Sequence, residues 1–225
     1  MKYWDITFLF TVILLFSLSF KADAQLIRYV AVGDSYTIGT GIQPEESWPS
    51  ILTKKLSSQG IPIEITANLG KNGWTTQDVI NAQLPIYKTL KPDFATLLIG
   101  VNDWVKEVDA KTFRLNLGKL MDDMITQLPQ KDHLVVITIP DFSVTPTGSQ
   151  FALGRNIPEG IAEFNSIIIE EAKRRNLKVV DIYPLTQKMK DDRSLIAEDG
   201  LHPSSLEYQL WEKLIYPEAE KILRK

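Results

Sequence analysis

The feature that most constrains the fold of this chain is a regular alternation between short apolar runs and stretches with helical periodicity. The apolar runs are short and rich in β-branched residues, which is typical of strands covered on both faces. Strand and helix in strict alternation predict a parallel sheet between helices, a three-layer α/β/α sandwich. The five predicted strands cover residues 26–32, 63–67, 94–99, 134–139 and 178–182.

Five helices are predicted from start and stop signals between the strands. The first opens at Ser47-Trp48-Pro49 and closes at Gly60, and the second opens at Thr76. Asp109 caps the third, and the fourth begins near Pro158. The last begins at Pro203-Ser204, with Pro217 expected to kink it and with Leu206, Leu210, Leu214 and Ile215 expected to face inward.

The first 24 residues have the pattern of a signal peptide. One lysine precedes an apolar stretch over residues 6–20, and Ala22-Asp23-Ala24 is the kind of small-residue ending that a signal peptidase cuts. The stretch is shorter than the ~20 residues of a spanning helix. We therefore expect export to the periplasm or beyond the cell, with residues 25–225 forming a single domain that has no membrane span.

Composition excludes several classes of partner and cofactor. The 25 Lys and Arg against 28 Asp and Glu give a net charge of −3, so nucleic acid is not an expected partner. The chain has no cysteine, so disulfides and Cys-zinc sites are excluded, and no other metal constellation is predicted. Residues 33–41 contain neither G-x-G-x-x-G nor G-K-[ST], so no nucleotide or flavin cofactor is expected.

Polar residues and glycines cluster where a ligand site is expected. In an open parallel sheet, ligands bind beyond the carboxyl ends of the strands. Three segments follow predicted strands and one precedes the last helix: G-D-S-Y-T-I-G (33–39), N-L-G-K-N-G-W-T-T (68–76), G-V-N-D (100–103) and D-G-L-H-P (199–203). They supply a hydroxyl, an imidazole near a carboxylate, a side-chain amide and exposed backbone N–H groups, which are the parts of an acyl-transfer site.

Together these four segments resemble the SGNH hydrolases, also called the GDSL esterases and lipases. The matching residues are Ser35 in G-D-S, Gly73 in N-x-x-x-x-G-x-T-T, Asn102 in G-x-N-D, and Asp199 and His202 in D-G-L-H-P. The blocks occur in family order between residues 30 and 211. The resemblance implies the flavodoxin-like SGNH hydrolase fold and a serine esterase without a cofactor. One departure is Tyr36, which stands where the family usually has leucine.

Ser35, His202 and Asp199 are the predicted catalytic triad. The Ser35 hydroxyl is the expected nucleophile, although serine is also a common helix cap. His202 is the expected general base, because the other histidine, His133, begins a strand at the opposite end of the sheet. Asp199 is expected to accept the Nδ1 hydrogen of His202, and it also suits a turn before Gly200.

The predicted oxyanion hole consists of the Asn102 side chain and the backbone N–H groups of Gly73 and Ser35. The alternative interpretations are a turn with positive φ at Gly73 and a loop cap at Asn102. We interpret Asp34 and Asp103 as structural residues that position loop backbone.

Tyr36, Trp74 and Trp104 are the candidate substrate-binding residues. The two indoles suit an apolar wall for an acyl chain, a stacking platform for a sugar, or ordinary loop packing. The segment over residues 141–157 is long for a strand-to-helix connection and carries two phenylalanines, so a cover over the substrate and a packed structural loop both remain open.

The resulting prediction is a secreted serine ester hydrolase that acts on small carboxylic esters through an acyl-enzyme intermediate. A lysophospholipase-like acyl esterase is favoured over a carbohydrate O-acetylesterase, because the two tryptophans and the apolar loop favour an acyl chain. A non-catalytic binding domain on the same fold is the alternative of another class. An α/β-hydrolase is disfavoured, since residues 33–37 do not read G-x-S-x-G.

Overall fold

The computed structural model describes residues 25–225, so the predicted signal peptide lies outside the described residues. Five parallel strands form one sheet in the order β2-β1-β3-β4-β5. This is the flavodoxin-like order, so the predicted fold class is confirmed. The strands are β1 (Ile27–Gly33), β2 (Ile63–Asn68), β3 (Phe94–Leu98), β4 (Leu134–Ile137) and β5 (Lys178–Val180).

Helices cover both faces of the sheet. The α-helices are α1 (Ser35–Ile38), α2 (Trp48–Ser58), α3 (Thr76–Asp78), α4 (Leu84–Leu90), α5 (Val101–Val105), α6 (Ala110–Ile125), α7 (Ile157–Arg174), α8 (Tyr183–Thr186) and α9 (Ser205–Leu223). Helix α2 packs against α9, whereas α4 and α7 pack against α6. Within residues 25–225, none of the helices combines the length and the apolar character that crossing a bilayer requires.

Local signals predicted most element boundaries well. Every strand end lies within two residues of its predicted position. The Asp109 side chain accepts the backbone N–H of Thr112 at 2.9 Å and so caps α6 as expected. The helix predicted from Thr76 is instead divided into α3, a π-helical segment over Val79–Gln83, and α4.

The predicted inward face of α9 is wrong at two positions. Leu206 and Leu214 are 48% and 40% exposed. The side chains that α9 buries include Tyr208, Trp211 and Ile215, which recur at intervals of three and four residues. Aromatic rings bury more apolar area than leucines do, so the two aromatic residues set the rotation of the helix. Helix α9 runs through Pro217 as one element.

Two buried side-chain amides complete the hydrogen bonding at the carboxyl ends of strands. Gln83 accepts the N–H of Gly33 at 3.1 Å and donates to the Gly33 carbonyl at 2.7 Å. Asn165 in α7 accepts the N–H of Ile139 at 2.7 Å and donates to the Ile139 carbonyl at 2.9 Å. Buried backbone groups need such partners. These amides therefore fix the backbone where β1 and β4 lead into the site.

We expect Asn165→Ala to lower the free energy of unfolding by about 2–6 kcal/mol, because it leaves two buried backbone groups unpaired at about 1–3 kcal/mol each. Urea denaturation followed by circular dichroism measures this change. Ser166→Ala, on the exposed side of the same helix, is the matched control and should change stability by less than about 0.5 kcal/mol. Equal effects of the two variants would contradict this role of Asn165.

Candidate active site

Ser35 lies at the mouth of a tight turn between β1 and α1. A Cβ on Gly33 would lie 2.2 Å from both the Leu98 carbonyl oxygen and the Thr37 hydroxyl, so only glycine fits there. Asp34 is the N-cap of α1, and its Oδ1 accepts the N–H of Tyr36 at 3.0 Å. Ser35 is therefore the first residue of the helix rather than its cap, and its own N–H has no intrahelical acceptor.

The loop after β2, which carries Gly73, packs against α1, and Gly73 is not among the residues that line the cleft. A Cβ on Gly70 would lie 2.5 Å from the backbone nitrogen of Ile38, and the Asn68 side chain donates to the Thr37 carbonyl at 2.7 Å. Gly73 has a φ of 73°, and a Cβ there would meet nothing within 4 Å. Its backbone thus adopts the predicted left-handed turn beside open space.

Helix α5 connects the third segment to the second. Asn102 donates through Nδ2 to the Trp74 carbonyl at 3.0 Å, which leaves its second amide hydrogen for another acceptor. The buried Asp103 carboxylate accepts the backbone N–H of Thr76 at 2.8 Å and also the Thr76 hydroxyl. The backbone-positioning role expected of Asp103 is thus visible, but its partner Thr76 was not identified from the sequence.

Asp199 and His202 belong to one closed turn. An antiparallel bridge pairs Ile196 with Pro203, and the N–H of Ala197 donates to the His202 carbonyl at 2.8 Å. Within this turn the His202 Nδ1 and Asp199 Oδ2 atoms lie 2.6 Å apart. With Nδ1 engaged by the carboxylate, the Nε2 atom remains available for a proton from a nucleophile.

Hydrogen bonds keep Asp199 ionised despite its partial burial. Burial opposes the charged form, but hydrogen bonds from the His202 ring and from the backbone N–H groups of His202 and Leu201 outweigh it and lower the pKa of Asp199. An ionised carboxylate at this position stabilises an imidazolium at His202.

One cleft brings Ser35, Asn102 and His202 together from three distant segments. The other residues that line it are apolar or aromatic: Tyr36, Val101, Val105, Phe142, Phe151 and Leu201. The Tyr36 ring meets the His202 ring edge-on, with 5.5 Å between the centroids. Among residues 25–225, no group of three or more histidines, aspartates or glutamates is arranged to hold a metal ion.

Of the three candidate substrate-binding residues, the structure places only Tyr36 in the lining of this cleft. Trp104 is 6% exposed, and its ring centroid lies 6.0 Å from that of Phe142, which does line the cleft. Trp74 contacts Asn102 through its backbone carbonyl. Trp104 is close to Asn102 in sequence, and for that reason it was predicted to bind substrate. Its indole is instead buried in the interior of the protein.

Two carboxyl groups beside the site have raised pKa values. Burial raises the pKa of Asp34 to about 8, and among the described residues its Oδ2 has no hydrogen-bond partner. Burial also raises the pKa of Asp103, to about 6, although the hydrogen bonds from Thr76 oppose the shift. Asp34 therefore binds a proton more tightly in the folded protein than in the unfolded chain.

We expect Asp34→Asn to remove one pH-dependent contribution to stability. The folded-state pKa of about 8 exceeds the ordinary carboxyl value, so the Asp34 contribution is present at low pH and is lost as pH rises from about 4 to about 8. The stability of the wild type minus that of the variant should therefore fall with pH, by at most about 1.4 kcal/mol per unit. Urea denaturation across this range measures it; a constant difference would contradict it.

A model of the GDSL-like lipase/acylhydrolase family matches residues 31–210, and the chain therefore belongs to this family. An arylesterase from Vibrio mimicus is 30% identical over 114 residues, which cover 50% of this chain and 56% of that protein. The chain thus aligns with little more than half the length of this curated relative.

Solved structures share the fold. A lipase/acylhydrolase from Enterococcus faecalis superposes with a TM-score of 0.69 at 24% identity, covering 88% of this chain and 97% of that one. A family 3 carbohydrate esterase from Clostridium thermocellum has a TM-score of 0.70 at 23% identity, covering 89% of this chain and 98% of that one.

Proposed function

We propose that the protein is a serine ester hydrolase that works through an acyl-enzyme intermediate. The observation that carries this proposal is the cleft in which Ser35, Asn102 and His202 meet, with the His202 Nδ1 atom 2.6 Å from Asp199. A nucleophile, a base held by a carboxylate and an amide donor around one space are the groups that acyl transfer requires. Membership of the lipase/acylhydrolase family supports the same reaction.

In the proposed mechanism, the Ser35 oxygen attacks the ester carbonyl carbon while its proton passes to Nε2 of His202. The tetrahedral oxyanion receives hydrogen bonds from Asn102 Nδ2 and from the N–H groups of Gly73 and Ser35. His202 then protonates the departing alcohol as the carbon–oxygen bond breaks. A water molecule, deprotonated by His202, adds to the acyl-enzyme, and the carboxylic acid leaves with Ser35 restored.

The acyl group of the substrate is proposed to lie against the apolar lining of the cleft. Val105, Phe142, Phe151 and Leu201 can contact a hydrocarbon chain, and burying each CH₂ of such a chain is favourable by about 0.8 kcal/mol. This lining favours a lysophospholipase-like acyl esterase. A carbohydrate O-acetylesterase is the second candidate, since the small cleft also accommodates an acetyl group and the Clostridium thermocellum carbohydrate esterase shares the fold.

We expect the purified protein to hydrolyse p-nitrophenyl acetate and butyrate with an initial burst, and Ser35→Ala or His202→Ala to lower turnover by about 10⁴-fold or more. Asn102→Ala, which removes one oxyanion donor, should lower kcat by about 10²–10³-fold. Release of p-nitrophenol measures each rate, and circular dichroism checks the fold.

His133→Ala is the matched control for the histidine substitution, because the His133 ring contacts the Asp93 carbonyl outside the cleft. This variant should retain turnover. Full activity in Ser35→Ala would refute the mechanism, and a wild type that binds esters without hydrolysing them would favour the non-catalytic binding domain.

We also propose export through a cleaved signal peptide, which places the activity in the periplasm or outside the cell. The support is the apolar stretch over residues 6–20 followed by Ala22-Asp23-Ala24. N-terminal sequencing of the protein recovered after expression in a bacterial host should give Gln25 as the first residue. A mature protein that begins at Met1 would contradict cleavage.

A further inference from the structure

The segment over residues 141–157, called here the wall loop, is attached to the turn that carries His202. Both the N–H and the hydroxyl of Thr147 donate to the Gly200 carbonyl, at 3.1 and 3.0 Å. A Cβ on Gly200 would lie 3.3 Å from the Thr147 methyl group. The first half of the wall loop therefore contacts the turn that holds the proposed acid–base pair.

Arg155 attaches the C-terminal end of the wall loop to α5, the helix that carries Asn102. Its guanidinium donates to the Trp104 carbonyl at 2.6 Å and to the Val105 carbonyl at 3.1 Å. These carbonyls lie in the last turn of α5, where the Trp104 carbonyl also accepts the backbone N–H of Glu107 at 3.1 Å. A guanidinium fork can serve both carbonyls at once, whereas an ammonium group cannot do so with the same geometry.

The Trp104 indole packs against the Arg155 guanidinium. The guanidinium carbon of Arg155 lies 4.0 Å from the ring centroid, a cation–π arrangement. The indole also meets the Phe142 ring edge-on. It lies so close to α7 that a Cβ on Gly160 would fall 1.8 Å from the indole Nε1 atom. Trp104 does not line the cleft, and its buried ring instead contacts Arg155, Phe142 and α7.

Between the two attachments, the wall loop presents Phe151 to the cleft. Phe151 ends a short 3₁₀ helix, Gly148–Phe151, and is 36% exposed. Its ring meets the Phe142 ring edge-on at 6.4 Å, and both rings line the cleft with Ser35. An exposed aromatic ring at this position costs hydrophobic free energy unless a ligand covers it.

We propose that Phe151 is the specificity-determining residue that sets the longest acyl group the cleft accepts, and that Arg155 is a positioning residue that holds this wall. The inference rests on the proposed ester hydrolysis and names its acyl subsite. Because the wall loop is attached to both the His202 turn and α5, it acts as a fixed boundary. A chain too long for the cleft must displace the Phe151 ring.

The first test is the acyl-length profile of kcat/KM for p-nitrophenyl esters from C2 to C12. The kcat/KM of the wild type should rise by up to about fourfold for each added CH₂ until the acyl chain reaches the Phe151 ring, and it should fall for longer chains. Phe151→Ala should move the maximum to longer chains, with at least a tenfold gain in kcat/KM, relative to that for acetate, beyond the wild-type maximum. An unmoved maximum would overturn the proposal.

Leu153→Ala is the matched control for the first test. Leu153 is exposed, apolar and in the same loop, but it does not line the cleft. Its substitution should leave the whole profile unchanged. A shift equal to that of Phe151→Ala would show that general loosening of the loop, rather than the Phe151 ring, sets the length limit, and would overturn the proposal.

The second test addresses Arg155. Arg155→Ala should raise the relative activity on long esters by lowering their KM, with kcat for acetate within twofold, and Arg155→Lys should be intermediate because it keeps the charge but loses the fork. Since Arg155 acts through Phe151, adding Arg155→Ala to Phe151→Ala should shift the profile no further. A uniform fall in kcat at every chain length, or an additive shift in the double variant, would overturn the positioning role.

Ser35→Ala separates failure of this inference from failure of the proposed function. If Ser35→Ala abolishes hydrolysis while Phe151→Ala leaves the profile unmoved, the mechanism stands and the acyl-length assignment is wrong. If Ser35→Ala retains activity, the proposed function itself is wrong, and the assignment of an acyl subsite is lost with it. Thermal unfolding of each variant confirms that the compared proteins are folded.

Discussion

The crowding around Gly33 is the constraint on which the arrangement of the site depends. A Cβ at this position would lie 2.2 Å from the Leu98 carbonyl oxygen, so the chain leaves β1 in contact with the end of β3. The Gln83 side chain forms hydrogen bonds with both the N–H and the carbonyl of Gly33, and these bonds fix the backbone at the start of the turn. In the order β2-β1-β3-β4-β5, connections diverge beside β1, and this is where such sheets open a crevice for ligands. Ser35 emerges there.

The sequence was sufficient to predict the strands and the residues that meet in the cleft, because both follow from local patterns. Apolar runs determine strand positions, and the carboxyl ends of parallel strands share one edge of the sheet. Ser35 and Asn102 follow two such strands, and His202 precedes the final helix in a recognisable motif. Their convergence could therefore be predicted without knowing any side-chain contact. Family membership agrees with that prediction.

Features that depend on distant partners could not be predicted in this way. The face of α9 that packs inward is set by aromatic rings meeting other elements, so a leucine pattern alone misplaced Leu206 and Leu214. Gln83 reaches a backbone that is 50 residues away in sequence, which no local pattern records. Trp104 lies two residues from Asn102, yet helical geometry directs its ring towards Gly160 and Arg155 instead of the cleft.

The turn closed by the pairing of Ile196 with Pro203 has a consequence for how activity arises in time. Asp199 and His202 are three residues apart, so a short peptide segment holds the acid–base pair, whereas Ser35 comes from the opposite end of the described chain. The turn leads directly into α9, which packs against α2, and the Tyr36 ring beside Ser35 contacts the His202 ring. Because His202 lies near the end of the described chain, both parts of the proposed catalyst meet only after nearly all of residues 25–225 have been synthesised.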